Sequence, residues 1–238
     1  MRRLEPRTCV DVATGRGDSL LAMLAACPSC SVTVGFDSSL KALRAARARD
    51  DAAGLPLAAG DASNPPVRPG SADLVSVVNS LHHFERPAIV VDRAAELLRP
   101  GGAMLVVEMY RDGQRGPSMT HVLMHSWWGR IDRLNGIPHF ETMTRTAMHR
   151  LLSGHGLRLE AWTDDGAGRD AKQGCGGPPP GAEELARLEA IIDSYSARIP
   201  EGAPGAGELA AEGERLRRRA ARIGLAPSAS LGFLLIRD

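Results

Sequence analysis

The segment ATGRGD, residues 13–18, sets Gly15 and Gly17 one residue apart and follows them with an acid. It comes directly after TCVDV (8–12), a short apolar run of strand type, and before an apolar-faced helix expected over 18–26. Glycines at such a junction admit backbone angles, and a closeness of approach, that a Cβ blocks. In open parallel sheets, ligands lie beyond the carboxyl ends of the strands, where strand order reverses. The loop is therefore read as a ligand cradle. A dinucleotide fingerprint needs a third glycine for close helix packing beneath a pyrophosphate, and Leu20 stands at that position.

Acids narrow the ligand. Asp37 ends a second strand-like run, SVTVGFD (31–37), where a carboxylate is placed to accept both hydroxyls of a ribose. Asp61, in GDA, ends a weak third strand and suits an adenine exocyclic amine; it also fits a plain turn ahead of SNPP. Asp11, within the first strand, is a further acid near the ligand's charged head. A ribose, an adenine and a cationic amino-acid head together suit this set. A pyrophosphate does not, because acids repel it.

These residues need a scaffold, and the pattern supplies one. After the third run (55–62), ADLVSVVNS (72–80) is a strong fourth strand and AMLVVEM (103–109) a fifth. Helices are expected from a cap at Ser38 to about Arg49, and over RPAIVVDRAAELL before Pro100 and its two glycines. Alternating strands and helices mean a parallel sheet with right-handed crossovers. A helix from Ser118 to Leu134 then interrupts the alternation, before another helix ending at glycine and a sixth strand over 157–164. Residues 166–181, rich in Gly and Pro, read as a surface loop or linker. Two amphipathic helices (183–198 and 207–223) and a last strand in SASLGFLLIRD close the chain.

Taken together, VDVATGRGD, VGFDSS, GDASNPPVRPGSADLVSVVNSLHHF and LLRPGGAMLVVEM resemble the successive motifs of class I S-adenosylmethionine-dependent methyltransferases. The resemblance is to the broad small-molecule group that includes the ubiquinone/menaquinone-biosynthesis type. The likeness runs continuously over residues 8–109. It implies a Rossmann-like α/β domain spanning 1–238, with a seven-stranded, mostly parallel sheet and an antiparallel last strand beside strand six. Residues 8–109 would be the cofactor-binding half, 111–156 a helical insert on the acceptor side, and 166–224 the loop and helices before the final strand. It further implies that Ala13, Gly15 and Gly17 approach the methionine portion, Asp37 and Ser38 the ribose, Asp61 and Ala62 the adenine, and Asn79 the methionine end. Asp73, opening strand four, is read as structural.

Methyl transfer from a sulfonium needs alignment and exclusion of water more than it needs a base. A base is required only where the acceptor loses a proton. Five of the seven histidines fall in or beside the acceptor region: His82, His83, His121, His125 and His139. His83, in LHHF, reads as packing or loop support. His121 and His125 lie four apart on one helix face, with Trp128 continuing it and Met124, Trp127, Ile131 and Leu134 forming an apolar stripe beside it. That spacing also suits metal ligands, with a third from His139, His82 or Glu108. No H-E-x-x-H pattern accompanies it, and no metal is assigned; the pair reads as a base or substrate hydrogen-bond partner, or as a structural pair. The candidate catalytic set is therefore His121, His125, His82, Glu108 and Tyr110, the last two ending strand five. The adjacent tryptophans either line a pocket or dock the helix.

Composition excludes other classes. A net charge of +1 offers no basic surface for nucleic acid, and RLRRRAAR (215–222) sits on a helix with acids, as a solvated face would. No run approaches a membrane span, and the N-terminus has no apolar leader, so a cytoplasmic location is expected. The four cysteines make no disulfide ladder. CPSC (27–30) has redox or half-zinc spacing without a second pair, and the scattered thiols do not suit metalloid methylation. The expected partner is a small-molecule substrate, with a possible homodimer through the last two helices. The alternatives are a protein that binds S-adenosylmethionine without methylating, a partner subunit, or an NAD(P)-dependent oxidoreductase.

Overall fold

The computed structural model describes residues 4–52, 54–166 and 181–238. Its strands are β1 (Thr8–Val12), β2 (Val32–Asp37), β3 (Leu57–Ala59), β4 (Ala72–Val78), β5 (Leu98–Met109), β6 (Leu157–Asp164) and β7 (Ser230–Arg237). Its helices are α1 (Asp18–Ala26), α2 (Leu40–Arg47), α3 (Pro87–Leu97), α4 (Gly116–Leu134), α5 (Arg145–Leu151), α6 (Ala182–Ser196) and α7 (Ala206–Ile223). One sheet takes all seven strands in the order β3-β2-β1-β4-β5-β7-β6. β1 to β5 pair in parallel, and β7 runs antiparallel between β5 and β6. This is the expected Rossmann-like mixed sheet.

The elements form where the pattern puts them, with small displacements. Ser39, not Ser38, caps α2, its side chain accepting from the Ala42 amide at 3.2 Å. β5 begins at Leu98 instead of residue 103, because Leu98 already pairs with Ala72 and the ladder resumes at Ala103 after a register shift. α1 is held close to the sheet without a glycine in its first turn. Leu20 is fully buried there. The missing volume comes from Gly35 on β2, where a Cβ would lie 2.6 Å from Thr14 Oγ1 and 2.9 Å from Leu20 Cδ2.

Asp73 is structural, as its position suggests. It accepts from the Arg7 and Thr8 amides at 2.8 and 2.9 Å and pairs with Arg99, joining the starts of β1, β4 and β5. Burial pushes its carboxyl up, but those two amides and Arg99 outweigh burial and hold it below the usual carboxylate value. The stabilisation therefore exists above the unfolded carboxylate pKa and fades as pH falls through the lower folded value. Asp73→Asn is expected to cost about 1–2 kcal/mol at pH 7, the worth of one or two such hydrogen bonds. Urea denaturation at pH 7 and pH 3 should show that gap narrowing in acid.

Beyond β5, α4 lies across α6 and α7. Met124, Trp127 and Ile131 are fully buried against Ile192, Leu209 and Leu216, and Trp127 Nε1 donates to the Leu209 carbonyl at 2.9 Å. Trp127 thus docks the helix. Trp128 stacks on Tyr195, 5.2 Å between ring centres, and the stripe ends before Leu134, which is 39% exposed. The apolar faces of α6 and α7 are turned onto α4.

Cys9 and Cys30 form a disulfide, where the scattered spacing had suggested separate thiols; Cys27 is free. Cys9 lies in β1 and Cys30 just before β2, and parallel pairing of the two strands brings them together. CPSC therefore bonds outward, not within itself. The loop expected over 166–181, with Cys175, lies outside the described residues but for its ends. Among the described residues, no helix is long and apolar enough to cross a membrane.

Candidate cofactor cleft and the histidine cluster

The sheet order reverses between β1 and β4, and the loops leaving these neighbouring strands diverge. At both exits the backbone enters the left-handed region on a residue other than glycine: Ala13 (φ 53°) after β1 and Asn79 (φ 46°) after β4. Such conformations are uncommon outside glycine and tend to occur at functional sites. Between them opens a cleft of about 1070 Å³, reaching from the β1 and β2 loops to Ile137 and Pro138 beyond α4. Ala13, Gly15, Asp37, Ser38, Asp61, Ala62 and Asn79 all line it.

Asp37 is the best-held acid. Its Oδ2 accepts from the Gly15 amide at 2.9 Å and its Oδ1 from the Ser39 amide at 2.7 Å. A carboxylate has about four lone-pair positions, so two remain for the cleft, as two ribose hydroxyls require. Gly15, at φ 55°, has open space where a Cβ would stand, so its backbone faces the cleft unobstructed. Asp61 also lines the cleft but is committed in part to its own turn, accepting from the Ser63 amide and hydroxyl, both at 2.8 Å. The Ser63 amide, then its hydroxyl, hold the Asp61 carboxyl below the usual range.

Two expected contacts lie off the cleft wall. Asp11 is fully buried, accepting from Ser76 and Ser19 hydroxyls at 2.6 Å each. Burial raises its carboxyl pKa against those hydrogen bonds. It ties β1 to β4 and α1, beneath the loop. Gly17, at φ 84°, caps α1.

The catalytic candidates divide. His82 and Glu108 meet: Glu108 Oε1 lies 2.8 Å from His82 Nδ1 and its Oε2 accepts from the Leu81 amide at 2.7 Å. Both are buried, and burial pushes Glu108 up to about 7 and His82 down to about 3. His125, on α4, reaches the same place, its ring 4.7 Å from that of His82. Burial lowers His125 as well, with the neighbouring imidazoles adding to it. His121 points elsewhere; its Nδ1 lies 3.2 Å from the Ser228 amide, which donates to it, and 3.0 Å from the Ser228 hydroxyl. Tyr110 donates to Asp164 Oδ1 at 2.8 Å beneath Arg145, and burial followed by that bond pushes its hydroxyl pKa up. These two side chains anchor the segments around β7 and β6.

Sequence reading passed over two members of the group. His83, read as packing or loop support, is exposed and stands on the cleft wall. Asp132, seven residues after His125 on α4, is buried and its Oδ2 lies 2.6 Å from His139 Nδ1. An acid at that interval on a helix face already carrying histidines was the available signal.

Comparison with known proteins agrees with the geometry. Residues 10–106 match the family profile described as a methyltransferase domain. Over 110 residues the chain is 33% identical to a demethylmenaquinone methyltransferase of Corynebacterium kroppenstedtii, covering 45% of each chain. The match thus spans less than half of that relative. Among solved structures, a Bacillus halodurans protein assigned as a methyltransferase superposes with a TM-score of 0.60 at 18% identity, over 99% of this chain and 94% of that one. The [4+2]-cyclase SpnF gives 0.58 at 16%, over 97% and 74%. Residues 10–106 are thus similar to a methyltransferase domain, and the chain as a whole shares its fold with these structures.

Proposed function

We propose that the chain transfers a methyl group from S-adenosylmethionine to a small-molecule acceptor, releasing S-adenosylhomocysteine. The observation that carries this reading is Asp37, braced by the Gly15 and Ser39 amides with two acceptor positions left toward the cleft. The donor set fits the group: acids for ribose and adenine, and an unobstructed glycine backbone. Leu20, buried where the dinucleotide fold needs glycine, weighs against a nicotinamide cofactor.

When bound, S-adenosylmethionine supplies a methyl carbon on a sulfonium, whose bond to sulfur breaks as the acceptor's lone pair forms the new bond in line, the electron pair passing to sulfur. Asp37 and Ser38 hold the ribose, Asp61 and Ala62 face the adenine, and Ala13, Gly15 and Asn79 flank the methionine portion. Asp11 and Gly17 shape the loop from beneath. The acceptor takes the far end of the cleft, against His83, Ile137 and Pro138. An acceptor that must lose a proton meets His83 there, with His82, Glu108 and His125 directly behind. His121 and Tyr110 act by positioning the chain around them.

The test is turnover of methyl-labelled S-adenosylmethionine with a small-metabolite extract, read by mass spectrometry. A labelled small molecule together with S-adenosylhomocysteine is the expected result. Protein that binds S-adenosylhomocysteine yet labels nothing would overturn methyl transfer and leave a non-methylating use of the same cleft.

A further inference from the structure

Four imidazoles from three separate segments converge behind the acceptor end of the cleft. His82 and His83 come from the turn after β4, His125 from α4, and His139 from the chain that follows it. His82, His83 and His139 each offer a ring nitrogen within 4.8 Å of the others'. His125 Nε2 lies 3.2 Å from His139 Nε2. The Phe140 amide donates to the His82 carbonyl at 2.7 Å, clamping the two contributing loops together.

The outer nitrogens of three of these rings are already engaged. His82 Nδ1 meets Glu108, His139 Nδ1 meets Asp132, and His83 Nδ1 lies 3.2 Å from the Pro138 carbonyl. A carbonyl only accepts, so His83 carries its proton on Nδ1, and the carboxylates favour the same tautomer in the other two. Each Nε2 is then a bare lone pair. His125 can donate one hydrogen bond, to His139, and its own Nδ1 is buried without a partner. A buried imidazole nitrogen left without a partner, beside rings that present lone pairs, is costly. His82, His139 and His83 are also backed as metal-bound histidines are, by a carboxylate or carbonyl on the other nitrogen.

Glu108 is fully buried, held by the Leu81, Met109 and Ser80 amides and turned onto His82 Nδ1, where it would back a metal-bound imidazole. Asp132, the other backing carboxylate, has Arg198.

We propose that His82, His83 and His139, with His125 as a fourth nitrogen, bind a divalent transition-metal ion. Imidazole donors select zinc, iron, cobalt, nickel or copper over magnesium or calcium, which take oxygen. Nitrogens about 2.0–2.1 Å from a tetrahedral ion stand roughly 3.3 Å apart; the His125–His139 pair has that spacing and the others draw in on binding. His83 is shared between cluster and cleft, so the ion would lie beside the acceptor end. That last point rests on the methyl-transfer reading; the metal site does not.

The experiment uses untagged full-length protein, stripped with chelator and titrated with Co²⁺, followed by visible ligand-field absorption, with Zn²⁺ competition by calorimetry. One saturable equivalent is expected, displaced by one equivalent of Zn²⁺. His83→Ala and His139→Gln should each weaken Co²⁺ at least tenfold, whereas His155→Gln, a residue paired with Asp92 outside the cluster, should leave it unchanged. His83 is exposed, so that variant tests the site even if loss of His139 impairs folding. No saturable band in the wild type, or equal affinity in His83→Ala, would overturn the proposal. S-adenosylhomocysteine calorimetry on the same samples reports on the cleft separately, so loss of one reading is not mistaken for loss of the other.

Discussion

Asp37→Ala is expected to weaken S-adenosylhomocysteine binding by about 100-fold, the worth of one to two hydrogen bonds to a charged group. Two losses combine. The ribose hydroxyls lose their acceptor, and the Gly15 amide loses the partner that holds the loop in its open shape. The effect should appear in calorimetry as weaker binding, with the fold intact by circular dichroism, because Asp37 lies at the cleft rim and not in the core. Asp61→Ala should cost less, about tenfold, since that carboxylate faces solvent and is half occupied by Ser63. A folded Asp37→Ala protein binding within threefold of wild type would remove Asp37 from the ribose site and, with it, the main support for the cleft assignment.

Trp127→Ala should lower stability by about 3–5 kcal/mol, the range for deleting a fully buried aromatic side chain. The indole is the centre of the contact between α4 and the α6–α7 pair, and its removal also leaves the Leu209 carbonyl without its donor. Urea unfolding of variant and wild type measures it; a change below about 1 kcal/mol would mean that α4 is held by something other than this contact. Gly213 on α7 gives a second check with an unusual sign. Alanine there gains helix propensity of about 1 kcal/mol, yet its Cβ would stand 2.8 Å from Trp127 Cζ2 in a ring with nowhere to move. Gly213→Ala is therefore expected to destabilise.

What could be read from the chain alone was whatever depends on neighbours in sequence. Strand and helix alternate with periods that a short window shows, and a parallel sheet with a carboxyl-end cleft follows from that alternation. Gly15 and the acids Asp37 and Asp61 could be expected on one cleft because each stands at or just beyond the end of a strand, and strand ends in a parallel sheet all face one side. The Trp127 stripe was visible too, although not its meaning: a stripe shows that a face is buried, not against what.

Tertiary structure alone decided the rest. Cys9 and Cys30 meet because β1 and β2 pair, across 21 positions of sequence. The left-handed backbone at Ala13 and Asn79 comes from chains diverging at the reversal of strand order, with no glycine to announce it. The histidine cluster is the clearest case. His121 and His125 share a helix face, as their spacing requires, yet only His125 enters the cluster, while His121 turns to Ser228 at the mouth of β7. Its other members, His82, His83 and His139, lie on segments with no common period. They converge because α4 crosses the end of the sheet and its following loop returns to bond the turn after β4. Periodicity tells which side of an element faces inward; it carries no information about which distant residue waits there, and that is set by packing.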